Sequence, residues 1–383
     1  MTYSMNRACP NSLRIALVAC VVVTLVGCSS RETKEALQKA SALESQKQYQ
    51  DANSVLLDAL RARETMIRNS SSAPKDQAGV EALTKKVQSD SEILQMERAQ
   101  ITIYLAMERA DLASVVYSDI LIGSPGDSVV YNALKSKEPV IRTGAVRVLG
   151  LAGKPEAIDA LATATKDDSQ DVRRAAVAAL GTIKDARTVD PLIAALKDSY
   201  WFVRSDAADA LGREKDVRAV KPLLDTVSDA DSNVESSAEN ALVMLAIVHG
   251  APADEFAGHL NDSNQKIVTI SAVCLALLKD ARAVPVLVKL AASSDAQTRL
   301  HAVKALGETG DPSVIPTLRQ TLKDTEVNVR GWSIIGLGKL NDQGSMADLN
   351  AIAADSTQSA NIRAAANAAV KHLSGVAAAP AGQ

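Results

Sequence analysis

The chain has 383 residues, 47% of them hydrophobic but only 3% aromatic, with a formal net charge of −3 and four cysteines. This supply of Ala, Leu and Val suffices for a large helical core, while the slight acidic balance excludes the positive field that a nucleic-acid-binding surface needs. Three of the cysteines fall within the first 28 residues and only Cys274 lies in the body, which excludes an intramolecular disulfide framework.

Residues 1–27 carry Arg7 and Arg14, then the apolar run Ile15 to Val23, then Leu25-Val26-Gly27 ahead of Cys28. The run is too short to span a bilayer comfortably and is closed by a small residue, the pattern of a cleaved export signal. Loss of Arg7 and Arg14 with the leader takes the net charge from −3 to −5. Leu25 to Cys28 resembles a bacterial lipobox, and that resemblance implies that Cys28 becomes the N-terminus and carries the lipid. The alternative is an ordinary signal peptide that happens to contain a cysteine. Several acyl chains, each contributing about 0.8 kcal/mol per buried methylene, make a stable anchor. Ser29 stands where an aspartate would resemble an inner-membrane retention signal, so the expected place is the outer membrane of a two-membrane bacterium, facing the periplasm.

Residues 28–34 read as a short polar tether. From Glu35 to about Arg63 apolar residues recur at helical spacing, with Ser45 to Gln50 as a polar break between two helices. The stretch from Asn69 to Pro74 has the composition of a loop, and two further helices are expected from Asp76 to about Glu97 and through Ile101 to Leu121. The segment Ala52 to Leu60 parallels Ala113 to Leu121: Ala, two residues, Val, two more, Asp, then an apolar pair. With Tyr49 before one and Arg109-Ala110-Asp111 before the other, these segments resemble the second helices of tetratricopeptide hairpins. A plain antiparallel bundle over residues 35–122 is the competing reading.

Beyond Gly123 to Gly126 the chain becomes periodic. Aligned on Asp171 to Gly181, one slot is filled by Arg142, Arg173, Arg204, Glu235, Val268, Arg299, Arg330 and Arg363, at steps of 31 residues except two of 33. Seven residues on stand Leu149, Leu180, Leu211, Leu242, Leu275, Leu306, Leu337 and Val370. A period of this size with two short helical patterns inside it predicts an all-α stack of about eight helix pairs, an α-solenoid, over residues 125–373. First helices are expected over Val189 to Leu196, Val220 to Val227, Val284 to Leu290 and Val314 to Leu322, with Pro191, Pro222, Pro285 and Pro316 near their starts.

Six residues before the slot stand Asp167, Asp198, Asp229, Asp262 and Asp324, with Ser136, Ser293 and Thr357 in the other units, all suited to closing a turn. An Asp six before an Arg, repeated along helix pairs from Asp127 to Leu373, resembles the HEAT-repeat family, including the HEAT-like repeats of phycobilin lyases. The resemblance implies a structural ladder between neighbouring units made by Asp167, Asp198, Asp324, Arg142, Arg173, Arg204, Arg299, Arg330 and Arg363. Small residues three after the slot should let helices approach, Val or Ile one before it should fill the core, and Cys274, in a column of small residues, reads as a buried space-filler.

The rule breaks at Glu235 and Val268, where the arginine is lost, the step lengthens and His249-Gly250-Ala251-Pro252 forms an unusual turn. Either a bend or a docking site is expected there, against simple drift in a tolerant repeat. Trp201 and Phe202, His301 and Trp332 interrupt Ala-rich surfaces and are candidates for anchoring a partner. His249, His259, His301 and His372 are the only histidines and none is followed by Glu, unlike the iron-binding His-Glu pairs of the HEAT-type deoxyhypusine hydroxylases. No HExxH helix, Cys-x-x-Cys pair or phosphate loop is present, so no metal, cofactor or catalytic group is expected.

The sequence therefore points to a non-catalytic, lipid-anchored scaffold for a protein partner, with no nucleic acid. An enzyme or chaperone resembling the bilin lyases or the hydroxylases is the alternative. Residues 374–383 read as a disordered tail.

Overall fold

A computed structural model describes residues 31–46, 48–69, 82, 90–106, 109–110, 112–113, 115–117 and 128–377. Every regular element among them is helical. The export signal, Cys28, the loop at 70–74 and the start of the helix expected from Asp76 lie outside the described residues. The chain divides into two units, Met1–Pro191 and Leu192–Gln383.

The first unit opens with α1, Arg31–Ser45, α2, Tyr49–Asn69, and α3, Ser91–Ala106. The break expected at Ser45 to Gln50 is where α1 gives way to α2, but α2 continues six residues beyond Arg63. One stripe of α1 and α2 supplies Leu37, Ala40, Ala52, Leu56, Leu60 and Ile67, and α3 adds Ile93, Met96 and Ala99 to the same core. Polar bonds fix the register. Arg63 donates to both oxygens of Asp90, at 3.2 and 2.9 Å, while Asp90 Oδ1 accepts the Ile93 N–H and so caps α3. At the other end Gln100 Nε2 donates to Asn53 Oδ1, so α2 and α3 run antiparallel.

The repeats follow with α4, Val129–Ala133, α5, Pro139–Ala152, α6, Ile158–Ala164, and α7, Gln170–Leu180. Then α8, Val189–Ala195, carries the chain into the second unit. That unit contains α9, Trp201–Arg213, α10, Val220–Thr226, α11, Ser232–Ile247, α12, Ala253–Ala257, and α13, Gln265–Leu277. It continues through α14, Ala283–Leu290, α15, Ala296–Thr309, α16, Ile315–Thr321, α17, Val327–Lys339, α18, Met346–Ala354, and α19, Ala360–Ala377.

Local chemistry explains the helix boundaries. Four first helices open through one 3-10 turn, whose leading Asp accepts the N–H two residues on: Asp185 from Arg187, Asp216 from Arg218, Asp311 from Ser313 and Asp342 from Gly344. This turn shortens the helix expected from Val314, which begins at Ile315. At the end of α5, Gly153 takes φ 61° and returns its N–H to Leu149 and Gly150, a left-handed cap that suits glycine.

Packing accounts for the periodic columns. Ala145, Ala176, Ala207, Ala238, Ser271, Ala302, Ser333 and Ala366 are all fully buried, as are the leucines from Leu180 to Leu337 seven residues after the slot. The tightest approach lies further along each second helix. A Cβ added at Gly150 would sit 2.6 Å from the Cβ of Ala179, and one at Gly212 would sit 2.7 Å from the Cα of Ala241. These glycines let consecutive second helices touch backbone to backbone.

The last helix runs further than expected. Leu373 is buried, Gln343 Nε2 donates to its carbonyl at 3.0 Å, and Ser374 Oγ donates to Val370 O. These bonds hold the last turns in α19, so the predicted boundary after Leu373 falls inside a helix that runs to Ala377.

Candidate functional site

The ladder positions are built from three pieces of backbone and side-chain chemistry. In the turn between paired helices, the Asp carboxylate accepts the N–H two residues on: Ser169 on Asp167, Tyr200 on Asp198, Asp231 on Asp229, Asn264 on Asp262 and Glu326 on Asp324, all at 2.8 or 2.9 Å. The slot arginine then reaches back with Nη1 to carbonyls five and six residues earlier. Arg173 donates to Asp167 O and Asp168 O, Arg204 to Asp198 O and Ser199 O, and Arg330 to Asp324 O and Thr325 O. In Arg142, Arg204, Arg299 and Arg330 the remaining edge faces the next helix pair.

There the fork closes on the following unit's carboxylate. Arg142 donates from Nε and Nη2 to Asp167 at 2.7 and 2.6 Å, Arg204 to Asp229 at 2.7 Å twice, and Arg299 to Asp324 at 2.8 and 3.1 Å. Two parallel charge-assisted bonds in a largely desolvated setting make a strong and directional joint. Hydrogen bonding from Arg204 holds the Asp229 carboxyl below the usual range, and Arg299 does the same for Asp324. At Asp167 burial pushes the carboxyl up, and bonds from Arg142 and Ser169 N outweigh it to leave it lowered.

The ladder is incomplete at its last steps. Arg330 meets Gln358 Oε1 at 3.3 Å, because Thr357 occupies the Asp position, and its Nε is buried without a hydrogen-bond partner. Arg363 donates to the carbonyl of Gln358 at 2.7 Å.

The structure also shows joints that the spacing of the slot does not contain. Asp229 receives Arg204 although its own unit carries Glu235 in the slot, and Arg142 bonds Asp168 as well as Asp167. A second series lies on the turns between units. Lys184 to Arg187, Lys215 to Arg218 and Lys279 to Arg282 all read Lys-Asp-Ala/Val-Arg, and in each the Arg folds onto the Asp two residues back. That motif was visible in the sequence. Arg187 holds Asp185 and Arg282 holds Asp280 at about 2.

Where the slot holds Glu235, the joint changes chemistry. Lys266, on the next second helix, meets Glu235 at 2.6 Å, and the following joint is a neutral bond from Gln265 Nε2 to Ser293 Oγ at 3.2 Å. Asp262 has the ladder turn, with the His259 ring nitrogen Nδ1 3.9 Å from its carboxylate. Beneath this region Glu239 occupies the column otherwise filled by Val146, Val177, Ala208, Ala272, Val303, Ile334 and Asn367. Burial raises its pKa against the charges of His301 and Lys266, with Glu235 adding to the rise. Burial, and then Glu239, push the Cys274 thiol up, as befits a fully buried cysteine.

The aromatic candidates fall at separate places. Trp201 and Phe202 are half-buried at the head of α9, their rings stacked with centroids 3.5 Å apart, and Tyr200 lies 5.5 Å from Phe202. Trp332 on α17 is half-buried with Lys304 Nζ 5.0 Å from its ring, and His301 stands on α15 beside it in sequence register. Among the described residues no group of three or more His, Cys, Asp or Glu is placed to hold a metal, and no helix is long and apolar enough to cross a membrane.

Comparison with known proteins agrees with this geometry. The family profile described as HEAT repeats matches residues 128–176, 162–243 and 284–371, more than half of the chain. No curated protein sequence matches. Among solved structures, Kap95p from a study of its binding to RanGDP superposes with a TM-score of 0.53 at 13% identity, over 94% of this chain and 61% of that one. A Kap121p mutant gives 0.52 at 13% identity, over 96% of this chain and 45% of that one. The complex of CpcE and CpcF of phycocyanin lyase from Nostoc is matched at 20% identity with a TM-score of 0.31, over 64% of this chain and 94% of that one. Likeness at these identities concerns the fold. The recurring helix pair, the joints between pairs and the three profile matches have one reading: the chain belongs to the HEAT-repeat family.

Proposed function

We propose that this chain is a non-catalytic scaffold, held to the bacterial cell envelope by a lipid on Cys28 and binding a protein partner on the surface of its solenoid. The anchor rests on Leu25 to Cys28 and on the short apolar run before them. Ser29 favours the outer membrane, with the array facing the periplasm. In this reading residues 35–122 form a tetratricopeptide-like helical module between the anchor and the repeats.

The observation that carries the scaffold reading is where the ionic chemistry is spent: Arg142, Arg204 and Arg299 are each closed on a neighbouring unit's carboxylate. Half-exposed Trp201, Phe202 and Trp332 offer rigid apolar contact area, with His301 in register with Trp332. Kap95p, similar in fold, binds another protein, RanGDP. A photo-crosslinking residue placed at position 332 or 201 in cells should yield a discrete adduct with one envelope protein. No adduct at either position, with the protein correctly localised, would contradict the reading. Cys28→Ser should release the chain from the membrane fraction, and its persistence there would contradict the anchor.

A further inference from the structure

We propose that the helix array of the second unit is hinged between α11 and α13, so that the helices on either side open and unfold as separate cooperative bodies. The inference is independent of the scaffold reading. In a stack of repeats, cooperativity is carried by the interfaces between nearest neighbours, and one weak interface is enough to divide it.

Four observations converge on this interface. First, the bidentate joint is missing. Arg299 and Asp324 are 14% and 9% exposed, whereas Lys266 and Glu235 are 50% and 25% exposed, a single contact on a flexible stem that water screens. Second, Glu239, half-buried, stands in the column filled by Val146, Val177 and Val303 in other units, so α11 carries a partly desolvated carboxyl on which the charges of His301, Glu235 and Lys266 act. Third, the extra turn and the short α12 are interposed before α13, and α11 packs on α13 more sparsely than α9 packs on α11. Arg282 links α12 to the turn before α14 by a bond to Asp254 at 2.7 Å, but both side chains are solvent-exposed. Fourth, the end of α11 is left unfinished. Both ring nitrogens of His249 are buried without a hydrogen-bond partner, while Met244, Ile247 and Val248 are 37%, 53% and 56% exposed. A buried polar group without a partner opposes closure, and exposed aliphatic side chains contribute little to it.

The α9–α11 and α15–α17 interfaces each keep the bidentate joint. Between α9 and α11 stand the Arg204–Asp229 joint, the backbone approach at Gly212 and a Ser205–Ser237 hydroxyl bond at 2.9 Å. Between α15 and α17 stand Arg299–Asp324, the Gly307–Gly336 approach and an ion pair of Lys339 with Glu308.

The chain carries its own probes, since its two tryptophans, Trp201 and Trp332, lie on opposite sides of the proposed hinge. In the full chain, Trp332→Phe leaves Trp201 to report one side in urea and Trp201→Phe leaves Trp332 to report the other. The midpoints should differ, and amides from the second half of α11 through α13 should exchange at least tenfold faster than those of α9 and α17. Glu239→Val, the residue found at positions 146, 177 and 303, should slow that exchange about tenfold and draw the two midpoints together. Coincident midpoints without Glu239→Val, or junction amides as protected as those of α9 and α17, would overturn the hinge. An unchanged exchange rate in Glu239→Val would overturn the cause assigned to it.

Discussion

Arg204 closes on Asp229 with two 2.7 Å bonds, from Nε and from Nη2, although the helix pair that supplies Asp229 has no arginine of its own. The joint therefore runs one way along the chain: an arginine grips the carboxylate of the next unit, and its own turn is gripped from behind. Loss of the slot arginine at Glu235 spoils the joint after it and leaves the joint before it intact.

Asp229→Ala should destabilise the second unit by about 3 kcal/mol, because it strands a largely buried guanidinium. Asp229→Asn should cost less, since an amide oxygen still accepts one bond. The carboxyls of Asp229 and Asp324 are held below their unfolded value, so the stability they add is present above the ordinary carboxylate pKa and is lost as pH falls through the folded one. Urea unfolding of the full chain at pH 7 and pH 3 checks both statements. Equal stability of Asp229→Ala and the unaltered chain would show that the pair is merely solvated.

Much of this architecture was legible before any coordinates. The slot, the buried column three residues on and the turn Asp all follow from period and residue size, because stacking makes every unit solve the same packing problem. The rest was hidden for a physical reason. Which Asp an Arg meets depends on the offset between neighbouring helices, and the spacing within one unit does not contain it. The role of Gly150 and Gly212 follows only from the backbone approach to Ala179 and Ala241. The Lys-Asp-Ala/Val-Arg turn recurs in only three units and lies outside the second helix that carries the slot. The surface aromatics show no shared geometry, so their part in binding rests on chemistry rather than on a formed site.

Gly212→Ala should destabilise the array by about 1–3 kcal/mol, since its Cβ would lie 2.7 Å from the Cα of Ala241 and the helices must part to admit it. Gly250→Ala meets no atom within 4 Å but must hold φ 66°, so strain rather than crowding opposes it. Thermal melts of the two variants, with the crystal spacing of α9 and α11 in Gly212→Ala, distinguish the causes. An undisturbed helix separation in Gly212→Ala would contradict the packing account.

Glu44 is buried at the end of α1, and burial lifts its carboxyl to about 8. A folded pKa above the unfolded one means that its contribution is full below the ordinary carboxylate pKa and is lost as pH rises towards about 8. The α1–α3 region should thus exchange its amides through a more stable state at pH 5 than at pH 8.5, once the intrinsic rate is corrected. Glu44→Gln should remove that difference. A slope that persists in Glu44→Gln would assign the pH dependence to another group.

Cys274 should resist thiol reagents in the closed protein and react only as the α11–α13 junction opens, because the thiol is fully buried and burial opposes the thiolate. Labelling followed by mass spectrometry at rising urea reads this directly. Labelling at the rate of a free thiol without denaturant would show that Cys274 is not buried as the packing of α13 places it.

The most direct test of the ladder is a double-mutant cycle on Arg299 and Asp324, which meet at 2.8 Å across neighbouring units. Arg299→Ala, Asp324→Ala and the double variant should show a coupling of about 2 kcal/mol or more, with each single change costing nearly as much as both together. Single-variant losses that simply add, within about 0.5 kcal/mol, would contradict the claim that the guanidinium–carboxylate joint holds neighbouring units together.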